Sequence, residues 1–211
     1  MGFEKNVFIN CPFDDEYKGL LRALLFSIID MGFEPRIALE SLNSEEARIE
    51  KIIKIIQQSQ FAIHDLSRIK SKGAGEFYRM NMPFELGLDI GCQRFKGDKW
   101  SNKKCLILET ERYRYQAALS DLSNSDIAVH NDDPAVAVRE VRNWLSTQAK
   151  IKVPGPTHIF GRFTDFVTDH SNDLEASGHS TKDIESYPIP HLIDDMRQWV
   201  SSNPWSLPNK A

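Results

Sequence analysis

The sequence predicts an α/β protein with a parallel sheet, because two kinds of apolar segment alternate along the chain. Short runs rich in strand-forming residues alternate with longer segments in which apolar residues recur every three or four positions. This alternation is typical of strands joined by crossover helices that cover both faces of one sheet. The 211 residues suit one such domain with a modest appendage.

Five strands and the helices between them can be placed in order. The predicted strands cover residues 6–10, 33–39, 61–66, 105–109 and 127–130. The predicted helices cover residues 17–31, 48–59, 83–95 and 116–122, and a last one begins at residue 134. Five strands in about 150 residues favour the flavodoxin-like strand order 2-1-3-4-5 over a six-stranded dinucleotide-binding fold.

The pattern changes after residue 150. Residues 151–156 contain two prolines and a glycine, and the following stretch carries helix-like runs at 159–167 and 189–200. We therefore predict an α/β domain over residues 1–150 and a C-terminal helical extension over residues 151–211 that packs on it.

Composition narrows the classes of partner. The net charge of -4 leaves no basic excess to neutralise phosphates, so nucleic acid is not an expected partner. Three cysteines without C-x-x-C spacing predict neither a disulfide framework nor a metal site. No signal peptide and no membrane-spanning run are recognisable, so we predict a cytoplasmic protein without membrane contact.

The strand order also predicts where a ligand would bind. In such sheets the site lies outside the carboxyl ends of the strands at the point where strand order reverses, here between the first and third strands. Polar residues are dense in the three segments that meet there, 10–15, 65–68 and 81–85. No glycine-rich phosphate loop follows the first strand, so a phosphate would be held by helix N-termini and isolated basic groups.

Glu85 is the most informative residue of these segments. It lies in the first turn of a predicted helix, where a carboxylate also favours the helix dipole without any further role. Gly87 and Gly91 follow one turn apart, and we expect them to let the helix pack closely on the sheet. His64 is predicted to be a core histidine, and His130 to lie far from the point of strand reversal.

Three motifs resemble the nucleoside 2-deoxyribosyltransferase and TIR-like superfamily. Residues 81–87 read Asn-Met-Pro-Phe-Glu-Leu-Gly, residues 63–67 read Ile-His-Asp-Leu-Ser, and residues 7–13 read Val-Phe-Ile-Asn-Cys-Pro-Phe. The resemblance covers roughly residues 5–148. It implies an N-glycosidic-bond enzyme that cleaves NAD or transfers a deoxyribosyl group, with Glu85 attacking or stabilising the anomeric carbon. It also implies a role in bacterial defence, NAD as a substrate, and no bound cofactor.

Candidate substrate-binding residues surround this glutamate. Asp65 or Asp14 is suited to accept hydrogen bonds from ribose hydroxyls, and Phe13 or Phe84 to stack on a base. Arg36 is suited to hold a phosphate or carboxylate. Each has a simpler interpretation: Asp14 caps a helix, Arg36 forms a surface ion pair, and Phe84 belongs to the core. The full candidate set is Asn10, Phe13, Asp14, Arg36, Asp65, Ser67 and Asn81.

Two other functions use the same fold. A non-catalytic nucleotide sensor or TIR-like assembly module would bind a nucleotide in the same cleft and self-associate through residues 112–115 or the C-terminal extension, giving a homo-oligomer. A phospho-acceptor receiver domain would use Asp65 as the acceptor. It also needs a lysine after a later strand, which the sequence after the fifth strand lacks.

Overall fold

A five-stranded parallel sheet forms the centre of the molecule. The computed structural model describes residues 2–40, 47–68, 80–112, 114, 119–120 and 127–205. Every neighbouring pair of strands is parallel, and the order is β2-β1-β3-β4-β5, which confirms the predicted fold class and strand order. The strands are β1 (Asn6–Asn10), β2 (Glu34–Ile37), β3 (Phe61–Asp65), β4 (Lys104–Glu109) and β5 (Ile127–Val129).

Helices cover both faces of the sheet and continue after it. The helix predicted at 116–122 falls largely outside the described residues, and the other predicted helices are present. No helix in the described part of the chain combines the length and apolarity needed to cross a bilayer. The helices are α1 (Lys18–Asp30), α2 (Arg48–Gln58), α3 (Asn81–Phe95), α4 (Pro134–Gln148), α5 (Pro156–Ala176), α6 (Thr181–Glu185) and α7 (Ile189–Ser202).

Alternate side chains of the central strands enter apolar clusters on the two faces of the sheet. Phe61 and Ile63 of β3 join a large apolar cluster with α1, α4, α5 and α7. Ala62, between them, packs with Phe8 and the isoleucines of α2 on the opposite face. This two-residue period is the normal consequence of strand geometry, and it continues into the polar residues at the strand ends.

The C-terminal helices share the larger core, as expected of an extension that packs on the sheet domain. The ring of Phe26 on α1 lies 5.5 Å from that of Phe166 on α5 and 5.6 Å from that of Trp199 on α7. Arg162 of α5 donates to both oxygens of the buried Asp30 carboxylate, at 2.7–3.1 Å. Residues from α1, α5 and α7 therefore belong to one continuous apolar cluster.

The expectation about the glycines of α3 is wrong. Gly87 is exposed, and a Cβ placed on it would meet nothing within 4 Å. A Cβ on Gly91 would meet only the ring of Phe95, at 3.8 Å. The buried side of α3 carries Met82 and Leu86 instead. The glycines therefore lie on the outer side of the helix, away from the sheet.

Candidate functional site

The alternation of side chains divides the polar residues at the carboxyl edge of the sheet into two groups. Asn10 and His64 point to the face covered by α2 and α3, whereas Asp65 points to the face covered by α1 and α4. The sequence analysis placed Asp65 and Glu85 in one cleft. The structure instead gives Asp65 its partners on the face opposite to α3.

A chain of hydrogen bonds joins β1, β3 and α3 on the first face. The Nδ2 amide of Asn10 donates to His64 Nδ1 at 3.0 Å and to the carbonyl oxygen of Met82 at 2.9 Å. Because His64 Nδ1 accepts, its Nε2 carries the proton and donates to Asp89 Oδ2 at 3.1 Å. All of these side chains are buried. His64 is thus a satisfied core histidine, as predicted, and Asn10 fixes the first turn of α3 against β1.

Lys103 completes this network from the amino end of β4. Its Nζ lies 2.9 Å from Asp89 Oδ1 and donates to the carbonyl oxygens of Ile56, at 2.8 Å, and Ser59. Burial alone would raise the pKa of Asp89, but the hydrogen bond from His64 and the charge of Lys103 hold it below its ordinary value. A buried carboxylate that accepts a hydrogen bond from His64 and lies in an ion pair with Lys103 therefore anchors α3 one turn after Glu85.

Glu85 is buried but has no such partner. Its exposed fraction is 5%, and no hydrogen bond or ion pair to its carboxylate forms among the residues that the structure describes. Burial raises the pKa of Glu85 from 4.5 to about 7, although the charge of Arg48 at the start of α2 lowers it. The carboxylate therefore lies in a poorly solvated place without the pairing that normally accompanies a buried charge.

The hydrogen bond from Asn10, the last residue of β1, to the carbonyl oxygen of Met82 brings the start of α3, and with it Glu85, close to the end of β1. Burial raises the pKa of the Cys11 thiol, and the carboxylates of Asp65 and Glu85 raise it further. Cys11 directly follows β1 and is fully buried. Glu85 therefore faces inward, beside the carboxyl end of β1, and not toward bulk solvent.

Asp65 is the centre of the second group, on the face of α1 and α4. Its Oδ1 accepts from the backbone N–H of Ser67 at 2.8 Å and from the Ser67 hydroxyl. Its Oδ2 accepts from the hydroxyl of Tyr17 and lies 3.1 Å from Nε2 of His130. His130 Nδ1 accepts from the backbone N–H of Asp132 at 3.0 Å, so Nε2 carries the proton that faces Asp65.

This geometry corrects the prediction that His130 lies far from the site. Strand order alone suggests a distant position for His130, because β5 is two strands away from β3. Two strand spacings amount to roughly 10 Å, a distance that an aspartate and a histidine reaching toward each other can span. The hydrogen bond from the backbone N–H of Asp132 to His130 Nδ1 orients the imidazole across β4 toward Asp65.

Asp65 has little capacity left for a substrate. A carboxylate accepts about four hydrogen bonds, and the groups around Asp65 already occupy both of its oxygens. Burial would raise its pKa, but His130, Ser67 and Tyr17 together hold it below its ordinary value. A ribose hydroxyl would have to displace one of these partners, so the arrangement favours a positioning role for Asp65 and Ser67.

A cavity of about 520 Å³ lies beside this second group. Arg114 borders it and donates to the carbonyl oxygen of Ser67 at 2.7 Å and to the buried carboxylate of Glu109. The Nε–H of Arg114 and Oε2 of Glu109 have no hydrogen-bond partner among the described residues. Glu85 is not part of the cavity wall, which is formed by Glu16, Tyr17, Gly19, Leu20, Ser67, Arg68, Thr110, Glu111, Arg114, Asp132 and Pro134.

Two of the other candidates form ion pairs of their own. Arg36 makes a bidentate pair with Glu40, at 2.7 and 2.9 Å, which matches the surface ion-pair interpretation. Asp14 accepts from the backbone N–H of Tyr17 at 3.1 Å, so it caps the turn before α1, and it also pairs with Arg68. Neither side chain lies against Glu85 in any of these contacts.

The aromatic and amide candidates lie at different depths. Phe13 is half-buried and packs against the larger core. Phe84 is 57% exposed, so the interpretation of Phe84 as a core residue is wrong. The helix begins at Asn81, so Glu85 lies in the second turn of α3 and not in the first turn that the sequence predicted. Glu85 takes the inward side of the helix there, which leaves Phe84 on the outer side. Asn81 is exposed as the first residue of α3.

Four residues that hold these networks together were absent from the sequence-based candidates. They are Tyr17, Asp89, Lys103 and His130. Among the described residues, no three histidine, cysteine, aspartate or glutamate side chains converge as metal ligands. Comparison of the chain with family models, curated proteins and solved structures gave no match. The candidate site therefore consists of two groups of polar side chains at the carboxyl edge of the sheet, one on each face, with a cavity beside the second group.

Proposed function

We propose that this protein breaks the N-glycosidic bond of a nucleotide or nucleoside, by cleaving NAD or by transferring a deoxyribosyl group, with Glu85 as the reacting carboxylate. The observation that carries the proposal is the burial of Glu85 near the end of β1, with no hydrogen bond or ion pair to its carboxylate from the described part of the chain. The resemblance of residues 7–13, 63–67 and 81–87 to the nucleoside 2-deoxyribosyltransferase and TIR-like superfamily supports the same residue.

The chemistry requires a carboxylate in this state. Departure of the base leaves positive charge on the anomeric carbon, which an anionic group stabilises either by attack or electrostatically. A carboxylate that already forms an ion pair or hydrogen bonds stabilises a substrate cation less strongly. Asp65 and Asp89 are carboxylates of this kind. Glu85 forms no such pair among the described residues, and once it is ionised its poorly hydrated surroundings strengthen any interaction with a developing cation.

The hydrogen-bond network of Asn10, His64, Asp89 and Lys103 holds the backbone of α3 on both sides of Glu85. Asn10 holds the carbonyl of Met82, one turn before Glu85, and Asp89 holds the helix one turn after it. The turn that carries Glu85 is therefore fixed at both ends by buried polar contacts. Such support fixes the backbone position from which Glu85 would reach a bound sugar.

The test is release of base from NAD and from deoxynucleosides, followed by chromatography. We expect Glu85→Gln to lower the rate by at least about 10³-fold, because it removes the charge while keeping the shape. The wild-type rate should rise with pH through about 7, since the reaction needs the ionised carboxylate. Glu175→Gln, an exposed glutamate on α5, is the matched control. No release by the concentrated wild type, or equal release by Glu85→Gln, would contradict the proposal.

The separate cavity favours a second candidate, a nucleotide sensor without turnover. Its wall contains the Nε–H of Arg114, which is buried and has no hydrogen-bond partner within the described ranges, and Glu85 takes no part in this wall. Calorimetric titration with NAD and nucleotides separates the two candidates. A sensor would bind equally well after Glu85→Gln and less tightly after Arg114→Met. The cytoplasmic location and the absence of a bound cofactor stay predictions.

A further inference from the structure

The amino ends of α2 and α3 lie side by side at the carboxyl edge of the sheet, on the face that carries Glu85. Each of these helices leads from the carboxyl end of one parallel strand to the amino end of the next, so both begin at the same edge. Leu88 and Cys92 of α3 pack against an apolar cluster that includes Ile52 of α2. The first residues of both helices therefore border the place that Glu85 faces.

Arg48 is the first residue of α2, and it is exposed. Within the described ranges its guanidinium forms no hydrogen bond and no ion pair. Ile53 of α2 and Gly87 of α3 line the same groove, which gives the register of the two helices. Ile53 comes five residues after Arg48, whereas Gly87 comes two residues after Glu85. At about 1.5 Å per residue, Arg48 therefore lies roughly 5 Å nearer the edge of the sheet than Glu85 does.

The side chains of Arg48 and Glu85 are near each other without touching. The charge of Arg48 reaches Glu85 and lowers the pKa of that carboxyl against the effect of burial, yet no ion pair joins the two groups. In a nucleotide the phosphate and the anomeric carbon lie on different sides of one sugar ring. A guanidinium that holds the phosphate and a carboxylate that faces the anomeric carbon must therefore be close but not in contact.

The backbone at the start of both helices offers further donors to an anion. The residues before α2 and α3 are Ala47 and Met80, whose side chains cannot accept from the first N–H groups of the helices. Uncapped N–H groups and the positive end of the helix dipole attract a phosphate. The first turn of α3 also carries no acidic side chain that would repel it. These donors meet at the side of the sheet where the buried Glu85 carboxylate has no partner from the described residues.

We propose that Arg48 and the amino ends of α2 and α3 bind the phosphate of the substrate, which makes the substrate class a nucleotide and not an unphosphorylated nucleoside. The inference rests on the proposed function, because it places the sugar of the same substrate against Glu85. A guanidinium binds a phosphate through two parallel charge-assisted hydrogen bonds. Its charge also offsets the repulsion between the phosphate and the ionised carboxylate. A nucleoside would leave Arg48 without a ligand.

The experiment compares substrates that differ only in the phosphate. The pairs are each deoxynucleoside monophosphate with its deoxynucleoside, and nicotinamide mononucleotide with nicotinamide riboside. For the phosphorylated member, wild type should show a kcat/KM about 10–100-fold higher, as expected for hydrogen bonds to a charged group. Arg48→Met should remove this preference through KM, with kcat changed less than about threefold. Arg94→Met, the same change at an exposed arginine in the last turn of α3, is the matched control and should keep the preference.

Calorimetric titration of Glu85→Gln with the same pairs measures binding without turnover, in the presence and absence of the Arg48→Met change. The circular dichroism spectrum should not change with Arg48→Met, because Arg48 is exposed. Base release that depends on Glu85 but shows no phosphate preference would overturn this inference and leave the proposed function intact. A phosphate preference in binding without any base release would contradict the proposed function and leave the phosphate site. Equal binding of both members of every pair, or a preference that survives Arg48→Met, would overturn the phosphate site.

Discussion

Replacing Glu85 with glutamine is expected to stabilise the protein at alkaline pH and to leave its stability unchanged at acidic pH. Folding raises the pKa of this carboxyl from 4.5 to about 7, because burial disfavours the charged form. The folded state therefore binds the proton more tightly than the unfolded state does. Stability then falls as the pH rises from 4.5 to about 7 and stays at the lower level above it.

The size of the effect follows from these values. A change of pKa from 4.5 to about 7 corresponds to at most ~3 kcal/mol of unfolding free energy above pH 7. Partial hydration screens the charge, and the glutamine amide would itself be buried without a partner, so the expected gain is about 1–2 kcal/mol. For a chain of 211 residues this raises the melting temperature by about 2–8 °C.

Thermal unfolding followed by circular dichroism at about pH 5 and about pH 8 measures this difference. Glu175→Gln, whose carboxylate is exposed, should show no pH-dependent gain. The reasoning fails if Glu85→Gln gains equally at both pH values, or if the variant is less stable than wild type at about pH 8. The same variant is the one expected to lose catalysis, so stability and activity should change in opposite directions.

Three further substitutions test the buried networks. Lys103→Met leaves the Asp89 carboxylate without its ammonium partner, and we expect chemical denaturation to show a loss of about 3–5 kcal/mol. Tyr17→Phe removes one donor to Asp65 and should cost about 1–3 kcal/mol, with a larger loss contradicting the count of other partners. Arg162→Met uncovers a buried carboxylate on α1 and should loosen α5, measured as faster amide hydrogen exchange in that helix than in β3.

The fold was predictable because its signals are local and repeated. Each strand is a short run of strand-forming residues and each helix has its own apolar period, and five such strands in sequence restrict the sheet order to few choices. The inward orientation of Glu85 could be predicted in the same way, because Glu85 lies on the same side of the helix as Met82 and Asp89. The same helical period puts Phe84, one residue earlier, on the exposed side of α3, where a core position is not possible.

The polar networks were harder to predict for two different reasons. The positions of His64 and Asp65 on opposite faces of the sheet could be predicted, because successive side chains of a strand alternate between the two faces. The burial of Lys103 had no local signal, because its partner Asp89 lies on another element and its carbonyl acceptors belong to the end of α2 and the residue after it. His130 required the side-chain reach across β4, which strand order alone does not contain.

The burial of α1 on all sides has a consequence for biosynthesis. Its outer surface, including Phe26, is covered by α5 and α7, which the ribosome makes much later than α1. At ~5–20 residues per second, translation from α1 to the end of α7 takes roughly ten to thirty seconds. During that interval the apolar surface of α1 is exposed on the nascent chain and available to chaperones. A ribosome stalled near residue 150 would hold a nearly complete sheet whose first helix still lacks its cover.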